Sequence, residues 1–126
     1  RGSEQAYLCL KLAWLYRGAA EELQQDDTAN LGQIAKYNKL EAEYIEKAYK
    51  GFTEALLKEY PPICNMDEVT INSLLAQLAH KCNDDDIAQK FAYMVMGSRN
   101  ASSKAKDKAR ELMEVIRESR HETTNE

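Results

Sequence analysis

His80, Cys82 and Asp84 stand at alternate positions and form the densest group of metal-capable donors in the chain. One short cluster at a predicted helix junction supplies neither four ligands nor a second group to complete a tetrahedral site, so no metal site is assigned. Asp84, Asp85 and Asp86 lack the remaining ligands of a calcium loop. They read instead as a helix start, where carboxylates meet the positive end of the dipole. Nucleophilic catalysis finds no better footing. Neither His80 nor His121 has an orienting carboxylate identifiable from the sequence, and no Cys/His or Ser/His/Asp set can be chosen without arbitrary selection. Cys9 reads as a small buried apolar residue on a helix. The expectation is a non-catalytic chain with no cofactor.

Cations are a second kind of chemistry. Arg99, Lys104, Lys106, Lys108 and Arg110 crowd one stretch, and proteins contact nucleic acid chiefly through such residues. Asp107 interrupts the set and no nucleic-acid-binding motif surrounds it, so it reads as a solvated helix face. A net charge of -4 points the same way. The 126 residues are 44% hydrophobic and 30% charged with 2 Pro and 5 Gly, which favours one ordered all-α domain over a turn-rich β protein or a disordered chain. A domain of this length buries roughly two thirds of its unfolded surface and needs no disulfide or metal to hold it. The three cysteines, Cys9, Cys64 and Cys82, lack any C-x-x-C spacing and suit a reducing cytoplasm. Lys11 and Arg17 break the apolar N-terminal stretch well before the length of a membrane span, and no export signal is expected. Arg1-Gly2-Ser3 opens the chain abruptly, as expected of a fragment.

Five helices account for the apolar periodicity. Ser3 is placed to cap a first helix running to about Leu23, with Glu4 in its first turn. The stretch Ala6 to Tyr16 carries one charge, Lys11, so this helix is expected to pack on more than one side. Gln25-Asp26-Asp27-Thr28 supplies turn and capping chemistry before a second helix, in which Ile34, Tyr37, Ile45, Ala48, Phe52, Ala55 and Leu56 keep helical spacing. Pro61-Pro62 is expected to end it, and Gly51 is its expected point of bending. Asn65 or Asp67 caps a third helix with Ile71, Leu74, Leu75 and Leu78 buried, ending near Lys81. Asp84 starts a fourth, buried through Ala88, Phe91, Ala92 and Val95 and stopped at Gly97. A fifth follows Ser102 or Ser103 with Ala105, Ala109, Leu112 and Ile116 on its narrow buried face. Residues 121–126 are expected to fray.

One helical pattern is written twice: Leu12-Ala13-Trp14-Leu15-Tyr16 recurs 63 residues later as Leu75-Ala76-Gln77-Leu78-Ala79. Cys9, Leu12, Ala13 and Tyr16, with Ala48, Phe52 and Pro61, fall at the spacing of the tetratricopeptide repeat, which they resemble. The second unit keeps the small residues Ala76, Ala88 and Ala92 and loses both aromatics. Ala76 to Ala88 is 12 residues and Ala13 to Ala48 is 35, so the first hairpin carries 23 extra residues. Shared between two helices, they lengthen it by roughly 17 Å. The expected architecture is a stack of tetratricopeptide-like hairpins: a long first hairpin over 4–60, a second over 67–98 and a capping helix over 102–120. Leu8 to Arg17, and again Thr70 to Leu75 with Ala88, also resemble the central motif of a bacterial family of unknown function, DUF2225. The resemblance covers the C-terminal, helical part of that family, whose N-terminal part is zinc-ribbon-like, and it implies no activity. Ser73 stands where the motif has an aromatic, and Cys82-Asn83 where it has a Leu-Gly-like turn.

Repeats of this kind line a concave face with the first helix of each pair. Treating Ala13, Ala76 and Ala109 as equivalent buried positions sends Tyr7, Trp14 and Arg17, then Gln77, His80 and Lys81, then Lys106 and Arg110 to that face. Such a surface suits an acidic peptide segment, because Arg and Lys supply charge-assisted hydrogen bonds and Trp supplies desolvated contact area. The expected partner-binding set is therefore Trp14, Arg17, Gln77, His80, Lys81, Lys106 and Arg110, in a non-catalytic protein–protein interaction module. The alternative is a homodimer built through the long hairpin by unpaired Tyr37, Tyr44 and Ile45, serving the zinc-ribbon-like part that the resemblance implies.

Overall fold

A computed structural model describes residues 2–26, 28 and 30–125, the last four in backbone only. All five regular elements are helices, and the described residues form no strand. They fall into two compact units, 1–58 and 59–126.

Unit 1 is an antiparallel hairpin of α1 (Gly2–Gln24) and α2 (Leu31–Leu56). At about 1.5 Å per residue, α2 is roughly 39 Å long, and the hairpin far exceeds the second in length, as the spacing requires. Ser3, Ala6, Leu10, Ala13 and Ala20 make the buried edge of α1, and Ile34, Ile45, Ala48, Phe52 and Ala55 that of α2. The alternating three- and four-residue steps are those of a coiled-coil seam. Small residues dominate it, so the backbones approach closely. Gly51 marks one close approach: a Cβ added there would lie 2.7 Å from the Cβ of Ala6. Close approach to α1 is what this glycine provides. Ser3 likewise serves packing, since it lies inside α1 and is buried.

The turn chemistry held in kind but shifted in position. Asp26 Oδ1 accepts from the backbone N–H and the hydroxyl of Thr28, at 3.0 and 2.8 Å, and Asn30 caps α2 by accepting from Gln33 N. The expected turn residue Asp27 lies outside the described residues. α2 stops at Leu56, before the prolines, because its buried edge ends at Ala55 and residues 57–60 are exposed. Thr53 Oγ1 also bonds back to the carbonyls of Tyr49 and Lys50, an arrangement that competes with the regular ladder.

Unit 2 holds α3 (Glu68–Lys81), α4 (Asp85–Gly97) and α5 (Ser103–Asn125). Ile63 and Met66 exchange both backbone hydrogen bonds across Cys64 and Asn65, whose φ values of 51° and 63° make a left-handed two-residue turn. Buried Ile63 anchors it, and Asp67 then caps α3 by accepting from Thr70 N at 2.8 Å. α3 ends in a Schellman closure, with Asp84 N donating to Ala79 O and Asn83 N to His80 O. Asn83, at φ 60°, fills the left-handed position that Gly usually takes. Gly97 ends α4 without such a conformation, since no glycine has positive φ. Ser102 Oγ accepts from Ala105 N and starts α5, which continues to Asn125 where fraying from His121 was expected. Residue 126 lies outside the described residues. Both connections are short, so α3 and α5 each run antiparallel to α4 and therefore parallel to one another. Arg120, bonded to Asp86 at 2.6 Å, ties the far part of α5 to the start of α4. Phe91 is only half-buried, leaving Ala88, Ala92 and Val95 as the buried edge of α4.

Gly51→Ala should cost about 1 to 3 kcal/mol, because the added methyl meets the Cβ of Ala6, which is fixed to the main chain of α1. Gly18 in the same hairpin has open space around its missing Cβ, so Gly18→Ala should add about 1 kcal/mol through helix propensity. Urea unfolding of both variants checks this: midpoints that move in the same direction would reject the assigned contact.

Candidate functional site

A concavity lies within unit 2, a groove of about 870 Å³ between α3 and α5. Its floor is apolar, with Ala76 of α3, Val95 of α4 and Ala109 and Leu112 of α5. One rim, from α3, carries Thr70, Ser73, Gln77 and His80; the other, from α5, carries Lys104, Lys108 and Glu111. Lys104 and Lys108 are one helical turn apart and flank the start of α5, with Glu111 one turn further on. Asp67 also lines the groove, but its carboxylate is engaged by the α3 N-terminus.

Of the residues expected on a common face, Gln77 and His80 line this groove. Lys81 and Arg110 are exposed and Lys106 half-buried, and none of the three lines it. Arg110 bonds instead to Asp107 on its own helix, at 2.6 Å. The reason is helical phase. A groove between two parallel helices is walled by opposite flanks of them: α3 presents positions 73, 77 and 80 around Ala76, while α5 presents 104, 108, 111 and 115 around Ala109. Carrying the α3 flank over to α5 selects 106 and 110, about 200° away from 104 and 108. Lys104 and Lys108, expected on a solvated helix face, are exposed and also line the groove.

Trp14 and Arg17 belong to unit 1. Trp14 is 51% exposed, and Arg17 pairs with Glu21 at 3.2 Å. Lys11 stands over the Tyr7 ring at 4.7 Å. The neighbouring strip of α1 carries Leu8 and Leu15, 59% and 69% exposed, with Leu12 between them. So α1 buries one edge within its hairpin and leaves an apolar strip uncovered. The residues expected to drive self-association are used internally: Tyr16 stacks on Tyr44 and meets Tyr37, with ring centroids 5.8 and 5.9 Å apart, and Ile45 is buried.

One orienting carboxylate did escape the sequence reading. His80 Nδ1 lies 2.8 Å from Asp85 Oδ1, with both side chains largely covered. The pair is five residues apart and is made by the left-handed turn at Asn83, which no helical spacing announces. No group of three or more His, Cys, Asp or Glu side chains suited to a metal occurs among the described residues. No disulfide joins Cys9, Cys64 or Cys82, and no helix is long and apolar enough to cross a membrane among the described residues.

A family model described as an uncharacterized protein conserved in bacteria, DUF2225, matches residues 1–116, so the chain belongs to that family. No curated protein and no solved structure matches it.

Hydrogen bonds from the backbone N–H and then the hydroxyl of Thr70 hold the Asp67 carboxyl below its ordinary value. A carboxyl depressed in the folded state stabilises the fold above its unfolded pKa, and that contribution is lost as pH falls through the folded value. Asp67→Asn keeps a capping acceptor without the titration. Melting temperatures from pH 6 to pH 2 should therefore fall less steeply for the variant than for the parent, and parallel curves would show that this cap is not part of the acid response.

Proposed function

We propose that this member of the DUF2225 family is a non-catalytic, cytoplasmic protein–protein interaction module whose α3–α5 groove binds an extended, acidic peptide segment of a partner protein. The observation that carries the reading is the groove itself, an apolar floor with two lysines on one wall. From Asp67 to His80 its α3 wall runs about 20 Å at 1.5 Å per residue. The occupant is taken as an extended segment running along that wall. At about 3.3 Å per residue it contributes roughly six residues, with alternate side chains on the floor. Carboxylates on such a segment meet Lys104 and Lys108, and exposed ion pairs of this kind weaken with salt.

Terminally blocked hexapeptides alternating valine with glutamate, and their glutamine counterparts, test the reading by fluorescence anisotropy on the full chain. Lys104→Ala with Lys108→Ala should weaken the glutamate peptide about tenfold or more and the glutamine peptide much less. Arg110→Ala, outside the groove, should change neither. Equal losses for both peptides, or an effect of Arg110→Ala matching that of the lysines, would move the site elsewhere.

A second reading rests on the uncovered strip Leu8, Leu12 and Leu15 of α1. It is self-association of the long hairpin, through a different face from the one carrying Tyr37 and Tyr44. Sedimentation equilibrium should then show a dimer that Leu8→Ser with Leu15→Ser converts to monomer. Monomer mass for the parent at high concentration would dismiss this reading.

A further inference from the structure

We propose that the groove recognises its segment by charge order: two acidic side chains at alternate positions, with a basic one at the next alternate position towards one end. The inference rests on the peptide reading above and adds the sequence pattern of the segment. Lys104, Lys108 and Glu111, all exposed on the α5 wall, carry it. None of them takes part in an ion pair among the described residues, although Lys108 and Glu111 lie within one turn of the same helix. The arginines of α5 are instead matched within the chain, Arg110 with Asp107, Arg117 with Glu114 and Arg120 with Asp86. Asp67 and His80 are the other titratable groups lining the groove, and both have partners, in the α3 cap and at Asp85.

Exposed to water, the three unpaired charges are satisfied by hydration. A segment laid over them strips part of that hydration, so each must then meet its opposite. Along α5, Lys104 and Lys108 are about 6 Å apart and Glu111 is about 4.5 Å further on, at 1.5 Å per residue. An extended segment presents the same face about every 6.6 Å. Alternate residues therefore come to the two lysines, and the next on that face comes within about 2 Å of the level of Glu111, a shortfall that long flexible stems take up. A carboxylate at that third place meets a like charge and is rejected, whereas an ammonium or guanidinium is paired. Glu111 thus separates segments of equal net charge by where their basic residue stands.

Isomeric peptides distinguish charge order from charge. Fluorescence anisotropy on the full chain compares terminally blocked Val-Glu-Val-Glu-Val-Lys, its reverse Lys-Val-Glu-Val-Glu-Val and the isomer Val-Glu-Val-Lys-Val-Glu with the all-glutamate Val-Glu-Val-Glu-Val-Glu. One of the two peptides ending in lysine, set by the direction in which the segment lies, should bind about fivefold tighter than the middle-lysine isomer and than the all-glutamate peptide. Glu111→Gln should remove that advantage, and Glu111→Lys should turn it into a preference for the all-glutamate peptide. Glu111 is exposed, so neither substitution disturbs the buried edge of α5. Equal binding of the three isomers, with the all-glutamate peptide still bound through Lys104 and Lys108, overturns the charge order and leaves the acidic-peptide reading standing. An advantage that survives Glu111→Gln overturns it as well. If none of the four peptides binds, the peptide reading fails and the charge order with it.

Discussion

Helices approach closely only where the facing residues are small, and both units are built on that constraint. In unit 1 the seam is Ala6, Ala13 and Ala20 against Ala48 and Gly51, with Leu10 and Phe52 filling the space between. In unit 2, Ala76 and Ala79 of α3, Ala88 and Ala92 of α4 and Ala109 of α5 are all buried. Alanine gains little from burial itself, so the stability of such seams comes from the many contacts that close approach permits. A seam of small side chains also leaves larger apolar residues at its margins. In unit 1 they are Leu8, Leu12 and Leu15; in unit 2, Leu112 and Val115 stand along the groove. The surfaces available for partners are thus a by-product of how the helices meet.

This constraint also governs what was legible in the sequence. Small residues at fixed spacing announce where helices touch, which is why Ala13, Ala76 and Ala109 were identified as buried and the length difference of the hairpins followed from Ala-to-Ala distances. Caps with strong side-chain chemistry were legible too, as Asp67 and Ser102 show. At Gly51 the contact was not legible, because the same missing Cβ serves a bend or a close approach and only the partner helix shows the latter. The end of α2 was placed too late because the prolines fix a limit beyond which a helix cannot run, whereas burial ending at Ala55 decides where it stops. Tyr37 and Tyr44 appeared unpaired because their partner, Tyr16, stands on another helix across a turn.

The site was half legible. Residue types that line the groove were all visible, but a sequence gives helical phase only relative to the same helix. Assigning a side chain to a groove requires knowing which flank of each helix faces it, and parallel helices turn opposite flanks to the space between them. That geometry separates Lys104 and Lys108 from Lys106 and Arg110, although all four lie within two turns. It also exchanges an even run of cations for a groove with local polarity: lysines near the start of α5 and Glu111 further along it.

The His80–Asp85 pair shows the complementary limit. Five residues is not a helical spacing that brings side chains together, and within one continuous helix these two would not meet. They meet because Asn83 adopts a left-handed conformation that reverses the chain within three residues. Asparagine tolerates that conformation better than other residues bearing a Cβ, so the departure from a Leu-Gly-like turn at Cys82-Asn83 preserves the reversal. Two helix ends are thereby joined with their carbonyls satisfied, and a carboxylate is delivered to the first turn of α4, where the dipole stabilises it. The same local event closes one helix, starts the next and orients a groove-lining imidazole, so any substitution that unseats Asn83 from the left-handed region acts on packing and site chemistry together.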